Sequence, residues 1–562
     1  MTTNSESQPP LHPHLRRDDN GTHLIVNGKP FLMLAGELHN SSLSSARYMA
    51  DVWPAMKEQA INTLLGVVSW EQIEPVEGTF DFSELDKVIL GAREHGMHLA
   101  LLWFGAYKNA LSTYVPSWVK KDAKRFPRVR SIEAGGGRKI LDVITPLSME
   151  CAEADAKAFG KLMSHLEDFD ADHSTVLMIQ VQNESGILGD SRDRSSLAEA
   201  AFKEPVPEPL LRHLADNPHP QFAKRFPNIP QSGRHSWEEV FGAGAPADEM
   251  FMAFHFSRYV EKVAASGKAS YPLPFYANTW LNLDGPGDLD AAVAPSFVAS
   301  AVVAGGSGPG IYPSGGPCAH VSDVWRFGAP SLDFFAPDLY MQDYETVCKD
   351  YTVKGNPLFI PEQRRDEEGA RRMWLAYGTY GALGVSPFGI DTGAEAVGRE
   401  YKLLSQVKDL VLGASPADRF GFFFDEVENA PRVEKPWVKV FGTIQVTVER
   451  AFTFGRPGPA GGLIIRLADR KFLVVGYGFQ ARFKGVGKGV GFTGILSAKE
   501  MEGSQDGTLR VLRLWNGDET RGGEAMVMPN EVPDYGDFPI ATTIPARTGI
   551  AEVEVYTLED DA

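Results

Sequence analysis

Three cysteines in 562 residues, Cys151, Cys318 and Cys348, are too few for a disulfide framework. No CxxC and no zinc-type Cys/His spacing accompanies them, so they read as buried thiols and no metal site is indicated. Basic charge is short as well. Lys and Arg number 55 against 73 Asp and Glu, a net charge of −18, which excludes the clustered cations a nucleic-acid surface needs. No apolar run reaches the ~18 residues of a spanning helix, so no membrane partner is expected. The stretch from Met1 to Pro30 lacks a basic segment leading into a long apolar core, which argues against a signal peptide and for a cytoplasmic protein.

What remains is ordinary globular composition, 43% apolar and 23% charged. The length exceeds one usual domain, although α/β barrels with insertions can be long. Residues 1–22 are polar and proline-bearing and read as a disordered leader, and Asn27-Gly28 marks a tight turn after it. Eight short apolar runs follow, near 31–36, 61–68, 98–103, 176–181, 273–277, 332–336, 358–360 and 382–385, separated by helical or insert segments. Alternation of this kind forces parallel pairing with crossover helices, and eight strands is the count of a (β/α)8 TIM barrel. The barrel is placed at 23–414, with insertions near 185–247 and 284–325; the first, directly after a strand end, reads as a lid or rim. From 415 to 562 short alternating runs with close turn signals predict an all-β sandwich-like domain. Covering a barrel flank or building a dimer interface is its expected role, which leaves a homo-oligomer open.

Candidate chemistry sits where the runs end. Val176-Leu-Met-Ile-Gln-Val181 is too uniformly apolar for a half-exposed strand and stops at Asn183-Glu184. Leu358-Phe-Ile360 stops at Pro361-Glu362. In barrels of this kind catalytic side chains project from the carboxyl ends of strands into the open mouth. Two carboxyl groups are what a glycosidic bond requires: one protonates the departing oxygen, and the other attacks the anomeric carbon or activates water. Asn183 can hydrogen-bond the sugar 2-hydroxyl. Two carboxylates suffice, so neither metal nor cofactor is required.

With these residues placed, the chain resembles the clan A glycoside hydrolases, most closely the family-35 β-galactosidases with an extra C-terminal β-domain. The resemblance rests on Trp70-Glu-Gln-Ile-Glu-Pro75 followed by Glu77-Gly-Thr-Phe-Asp-Phe82, and on Gln180-Val-Gln-Asn-Glu184; Trp103-Phe-Gly-Ala-Tyr-Lys-Asn109 is similar to the related family 42. Gln182 departs from the usual Glu, and Ser185-Gly186 from the usual Tyr-Gly. The resemblance implies Glu184 as acid/base, Glu362 as nucleophile, Asn183 as a sugar ligand, and a retaining enzyme that releases terminal β-D-galactose from a β-galactoside or oligosaccharide. Another clan A exo-β-glycosidase, such as a glucosidase or mannosidase, a transglycosylase, and a non-catalytic sugar-binding barrel are the alternatives. Further substrate-binding candidates are Glu74, which can hold a hydroxyl or pair with an Arg; Asn278 at the fifth strand's end; Trp280 and Trp103, which can stack on a sugar face; and His39, with His320 beside it as a hydroxyl ligand. Tyr340 is expected to donate to Glu362, with Arg364-Arg365 favouring its ionised form. Glu184 is expected to need a raised pKa.

Overall fold

The computed structural model describes residues 12–133, 135–283, 306–425, 435–451, 457–503, 508–515, 517–530, 537 and 547–560. The chain enters through three antiparallel strands, β1 (His14–Asp18), β2 (Gly21–Val26) and β3 (Lys29–Phe31). Asn27 and Gly28, at φ 51 and 75, supply the left-handed pair that the β2–β3 turn needs. Strand β1 corrects the disordered leader expected over 1–22 for residues 14–22 alone, since residues 1–11 lie outside the described ones. His14–Asp18 pairs residue for residue with β2, and Leu15 packs inward although most of the strand is polar. An edge strand needs only one apolar anchor, so its sequence looks like a tail.

The eight apolar runs form parallel strands: β4 (Met33–Glu37), β5 (Thr63–Ser69), β6 (His98–Phe104), β9 (Val176–Val181), β10 (Phe275–Trp280), β11 (Phe334–Leu339), β12 (Ile360–Gln363) and β13 (Gly384–Pro387). They close into a barrel in the order β10-β11-β12-β13-β4-β5-β6-β9. Crossovers run through α1 (Ala46–Glu58), α2 (Ser83–Glu94), α3 (Met149–Asp170), α4 (Ala245–Lys268), α5 (Ser322–Gly328), α6 (Tyr344–Asp350) and α7 (Glu367–Gly378), and α8 (Glu395–Gly413) follows β13. Two-residue periodicity sorts each strand. Leu102 and Phe104 face the lumen with Leu65, Val67, Phe334 and Phe359, while Leu101 and Trp103 face the helices. Leu24 and Val26 of β2 join the lumen cluster beside Met33 and Leu383, so the small sheet stops the barrel's amino-terminal end.

Segments beyond the strands' carboxyl ends knit into a rim. A hairpin, β7 (Arg128–Ile132) and β8 (Arg138–Ile144), follows β6, and Arg130 N and Ile132 N donate to Asp193 and Asp190 after β9. Ile187 bridges Ser314, and Gly189 N donates to Gly310 O. Gly310, at φ 93, has no room for a side chain, since a Cβ there would stand 2.6 Å from the Asp190 carbonyl. Arg192 and Arg194 both pair with the buried Asp248 of α4, at 2.8 and 2.7 Å. The rest of 185–247 carries four short helices, Ser196–Phe202, Glu208–Ala215, Pro220–Arg225 and Trp237–Phe241. Much of the insertion expected at 284–325 lies outside the described residues.

After α8 the chain becomes all-β. One antiparallel sheet holds β14 (Arg419–Phe424), β17 (Ala460–Ala468), β18 (Lys471–Tyr477), β20 (Val490–Gly503), β21 (Leu509–Trp515) and β23 (Ile550–Glu559); the other holds β15 (Trp437–Phe441), β16 (Ile444–Arg450), β19 (Phe479–Gly485) and β22 (Ala525–Met528). Phe422, Ile464, Val474 and Met526 fill the space between them. The alternate residues Leu463, Ile465 and Val475 point the other way and share the barrel's outer core. Helix α7 lies so close that a Cβ on Gly421 would meet the Trp374 carbonyl at 1.9 Å. Buried Glu400 of α8 accepts from Trp374 Nε1 at 2.7 Å and from Tyr477 of the sandwich at 2.6 Å. The architecture is a TIM barrel followed by a smaller β-sandwich, and no helix among the described residues is long and apolar enough to cross a membrane.

Candidate active site

Four acidic side chains arise from the carboxyl ends of four barrel strands: Glu37 from β4, Glu184 just past β9, Asp338 from β11 and Glu362 from β12. All are buried. Asp338 and Glu362 are register partners on neighbouring strands. One oxygen each of Glu184, Asp338 and Glu362 lies within 4.8 Å of the other two. That brings together the two glutamates picked out by sequence.

The backbone that presents Glu184 is bent to do so. Gln182 and Glu184 adopt φ of 66 and 44, a left-handed conformation that costs a non-glycine residue about 1 kcal/mol or more. Side-chain bonds hold it. Gln182 Oε1 accepts from Tyr107 N at 2.9 Å, and its Nε2 donates to Asp155 at 2.7 Å. Asp155, on α3, also accepts from Trp103 Nε1, Ala106 N and Tyr259 OH. Asn183 N donates to Tyr107 O, Ala110 N to Glu184 O, and Glu184 N to Asn278 Oδ1 at 2.9 Å. Gln182, the residue that departs from the family pattern, is therefore the clamp between the loops after β6 and β9.

Electrostatics separate the two glutamates. Burial first, then the charge of Glu362, pushes Glu184 up to about 7, with Lys108 pulling the other way. Glu362 is met by two donors, Tyr340 OH to Oε2 at 2.9 Å and Asn183 Nδ2 to Oε1 at 3.5 Å. Tyr340 keeps its proton, because burial and the surrounding carboxylates push it well above the usual tyrosine range. The same causes hold Glu37 and Asp338 well above the usual carboxylate range: burial foremost, then Glu362. Lys108, nine-tenths buried and 4.8 Å from the Phe104 ring centre, is held charged by Glu362, Glu184, Glu37 and Asp338 against the pull of its own burial. The three clustered carboxyls are near enough to take a cation, but this ammonium already supplies positive charge to all of them.

Other candidates divide. Asn278 is in the site, with both ends of its amide committed to Glu184 N and Asp338 Oδ2. Asn183 Oδ1 meets no donor among the described residues. Trp280 ends β10 partly exposed, with its Nε1 buried and meeting no acceptor among the described residues. His39 lies at the end of β4 with its side chain 44% exposed, and its Nδ1 is 2.8 Å from Asp391. Glu74 and Trp103 are corrected. Glu74 is buried and accepts from Trp70 Nε1 and Gly78 N, which makes it the internal brace of the turn after β5. Trp103 is wholly buried on the helix side of β6. His320 is paired with buried Glu249 at 3.0 Å. Arg364 pairs with Asp366 and Glu368, and Arg365 binds Gly389 O and Thr392, so neither is spent on Glu362. Glu37, Lys108 and Asp338 were passed over, although each stands in a polar stretch at a strand end.

Known proteins are similar to parts of the chain. Residues 44–217, which take in α1, β5, β6, β9 and Glu184 but not β12 with Glu362, match the glycoside hydrolase family 42 model, described as beta-galactosidase. The match falls on family 42, the related family in the sequence resemblance, and not on family 35, and it covers less than half of the chain. Residues 397–527 match a domain of unknown function. A β-galactosidase of Xanthomonas manihotis is 27% identical over 192 residues, 32% of this chain and 29% of that one. Beta-galactosidase 11 of Arabidopsis thaliana is 31% identical over 110 residues, 18% of this chain and 12% of that one. The chain thus spans less than a third of these relatives' length. Among solved structures, a β-galactosidase of Bacillus circulans sp. alkalophilus aligns with 68% of this chain and 57% of its own at 14% identity and a TM-score of 0.44.

Proposed function

We propose that this chain is a retaining glycoside hydrolase that releases terminal β-D-galactose from a β-galactoside or oligosaccharide in the cytoplasm. The observation that carries the reading is the closeness of Glu184 and Glu362, with oxygens within 4.8 Å. Retaining enzymes hold their carboxyls about 5–5.5 Å apart, whereas inverting ones leave about 6.5–9.5 Å for a water. Glu362 attacks the anomeric carbon and forms an ester bond. The glycosidic C–O bond breaks, and its electron pair stays with the departing oxygen, which takes the Glu184 proton. Water then gives a proton to Glu184 while its oxygen displaces Glu362, which leaves as a carboxylate. Asn183 and Trp280 hold the sugar; the unpartnered Asn183 Oδ1 beside Glu362 supports the first of these. The galactose preference comes from the matched family and relatives.

A substrate that is a chain end fits the rim, because the segment after β9, the β7–β8 hairpin and the loop at 306–316 are bonded to one another around the mouth. Labelling with a 2-fluoro-galactoside bearing a dinitrophenyl group tests the reading. Mass spectrometry of a peptic digest should find the sugar on Glu362, and proton NMR should show the β-anomer as first product. A label elsewhere, or the α-anomer first, overturns it.

A further inference from the structure

Three buried carboxyls with oxygens within 4.8 Å of one another are costly to ionise together, and Asp338 is the one with a donor on a single oxygen and none on the other. Asp338 is 3% exposed. Its Oδ2 accepts from Asn278 Nδ2 at 2.7 Å, and its Oδ1 meets no N–H or hydroxyl among the described residues. What surrounds it is carboxyl: one Asp338 oxygen lies within 4.8 Å of an oxygen of Glu184 and of one of Glu362. A buried carboxyl oxygen with no donor, so near two other carboxyls, is at least cost when it carries a proton. Asn278 fixes the pair, since its Oδ1 takes Glu184 N while its Nδ2 takes Asp338. We propose that Asp338 is a positioning residue for the acid/base: a carboxyl that stays neutral through the reaction cycle and donates its hydrogen bond to Glu184.

The surroundings agree from every side. Glu362, its register partner on β12, and Glu37 on β4 act on Asp338 as further carboxyls, Tyr340 and Tyr276 keep their protons under its influence, and the Lys108 ammonium is a cation acting on the group. A second negative charge beside Glu362 is the costliest arrangement open to this pocket. When Glu184 has passed its proton to the departing oxygen it becomes a carboxylate in a buried place. The Asp338 O–H then stabilises that carboxylate without surrendering its own proton, and the bond holds Glu184 at an angle set by Asn278. Proton and electron counts of the two displacement steps are unchanged. Asp338 therefore makes Glu184 a strong enough acid to act near neutrality despite its burial.

This inference rests on the glycosidase reading, and the test separates the two. Asp338→Asn keeps the pattern of a neutral donor, with an amide N–H toward Glu184 and a carbonyl toward Asn278; Asp338→Ala removes the donor. With an aryl β-galactoside, Asp338→Asn should keep kcat/KM within about tenfold and leave the alkaline limb of its pH profile in place, whereas Asp338→Ala should move that limb up by about one pH unit. A downward move in both variants would mean that Asp338 is ionised, and unmoved limbs in both would mean that it only fills space; either overturns the proposal. Infrared difference spectra of wild type against Asp338→Asn at neutral pH should show loss of one protonated-carboxyl band, and its absence also overturns it. That measurement needs no turnover, so a chain that cleaves no glycoside sinks the function while the proton assignment is still judged.

Discussion

On the proposed mechanism Glu184 begins the reaction with its proton, and its displacement to about 7 sets the direction of the expected pH response. Below that value the acid is loaded. As pH rises through it the proton is lost, so kcat/KM for substrates with poor leaving groups should fall about tenfold per pH unit on the alkaline side. Dinitrophenyl glycosides need little protonation and should show a shallower limb. Glu184→Ala should lose about 10²–10⁴-fold on poor leaving groups and far less on dinitrophenyl ones, with added azide releasing a β-glycosyl azide. Equal losses on both, measured in initial-rate kinetics, would remove the acid role. At this scale the sequence exposed the pair and hid the pocket around it. Glu184 and Glu362 are legible because each ends an apolar run. Trp103 was misread because the lumen and helix faces of β6 alternate residue by residue, and no composition tells which parity Trp103 and Phe104 take. Glu74 ends a strand too, but a one-turn helix folds it back onto Trp70 and Gly78.

At the scale of elements, all eight barrel strands were legible, but four of their carboxyl ends were not. A reading that stops a strand at its last apolar residue ends β10 at Ala277 and β12 at Ile360, whereas the ladders run on through Asn278-Thr279-Trp280 and Pro361-Glu362-Gln363. Polar residues there are strand residues whose directions the pleat fixes, which is why Asn278, Asp338 and Glu362 converge. The clamp at Asp155 was out of reach of sequence reasoning, since it joins α3, β6, α4 and the β9 loop across distant stretches. Burial foremost pushes Asp155 up to about 6, so it is a carboxylate at neutral pH that accepts from four donors. Asp155→Asn turns an acceptor into a donor among donors and should cost about 2–3 kcal/mol, read by urea unfolding. The same variant should lose activity in the fraction still folded, because the loops carrying Lys108 and Glu184 lose their shared anchor; full activity in folded protein would show the clamp to be dispensable.

For the whole molecule, the sandwich is joined to the barrel through a continuous apolar layer and through Glu400. Every carboxyl of the site lies before β14. Tyr477→Phe leaves a Glu400 oxygen without its sandwich partner and should lower stability by about 1.5 kcal/mol while leaving kcat per folded molecule unchanged, as checked by calorimetry beside active-site titration. A fall in kcat with no change in melting would assign the sandwich a part in the reaction. The division into barrel and sandwich was readable from the change of periodicity after 415. What the sequence concealed was the stopper's first strand, because β1, with Leu15 its one inward apolar residue, looks like a leader.

That stopper, taken with the three cysteines, makes the molecule easy to orient on a solid support. Cys151, Cys318 and Cys348 are all buried. The exposed Asp19 lies in the turn between β1 and β2, and its neighbour Asn20 is bonded to Arg419, which packs on Gly381 just ahead of β13. A single Asp19→Cys substitution therefore places the one accessible thiol at the closed end, and a bead or electrode coupled there holds every barrel with its open end turned toward the substrate stream.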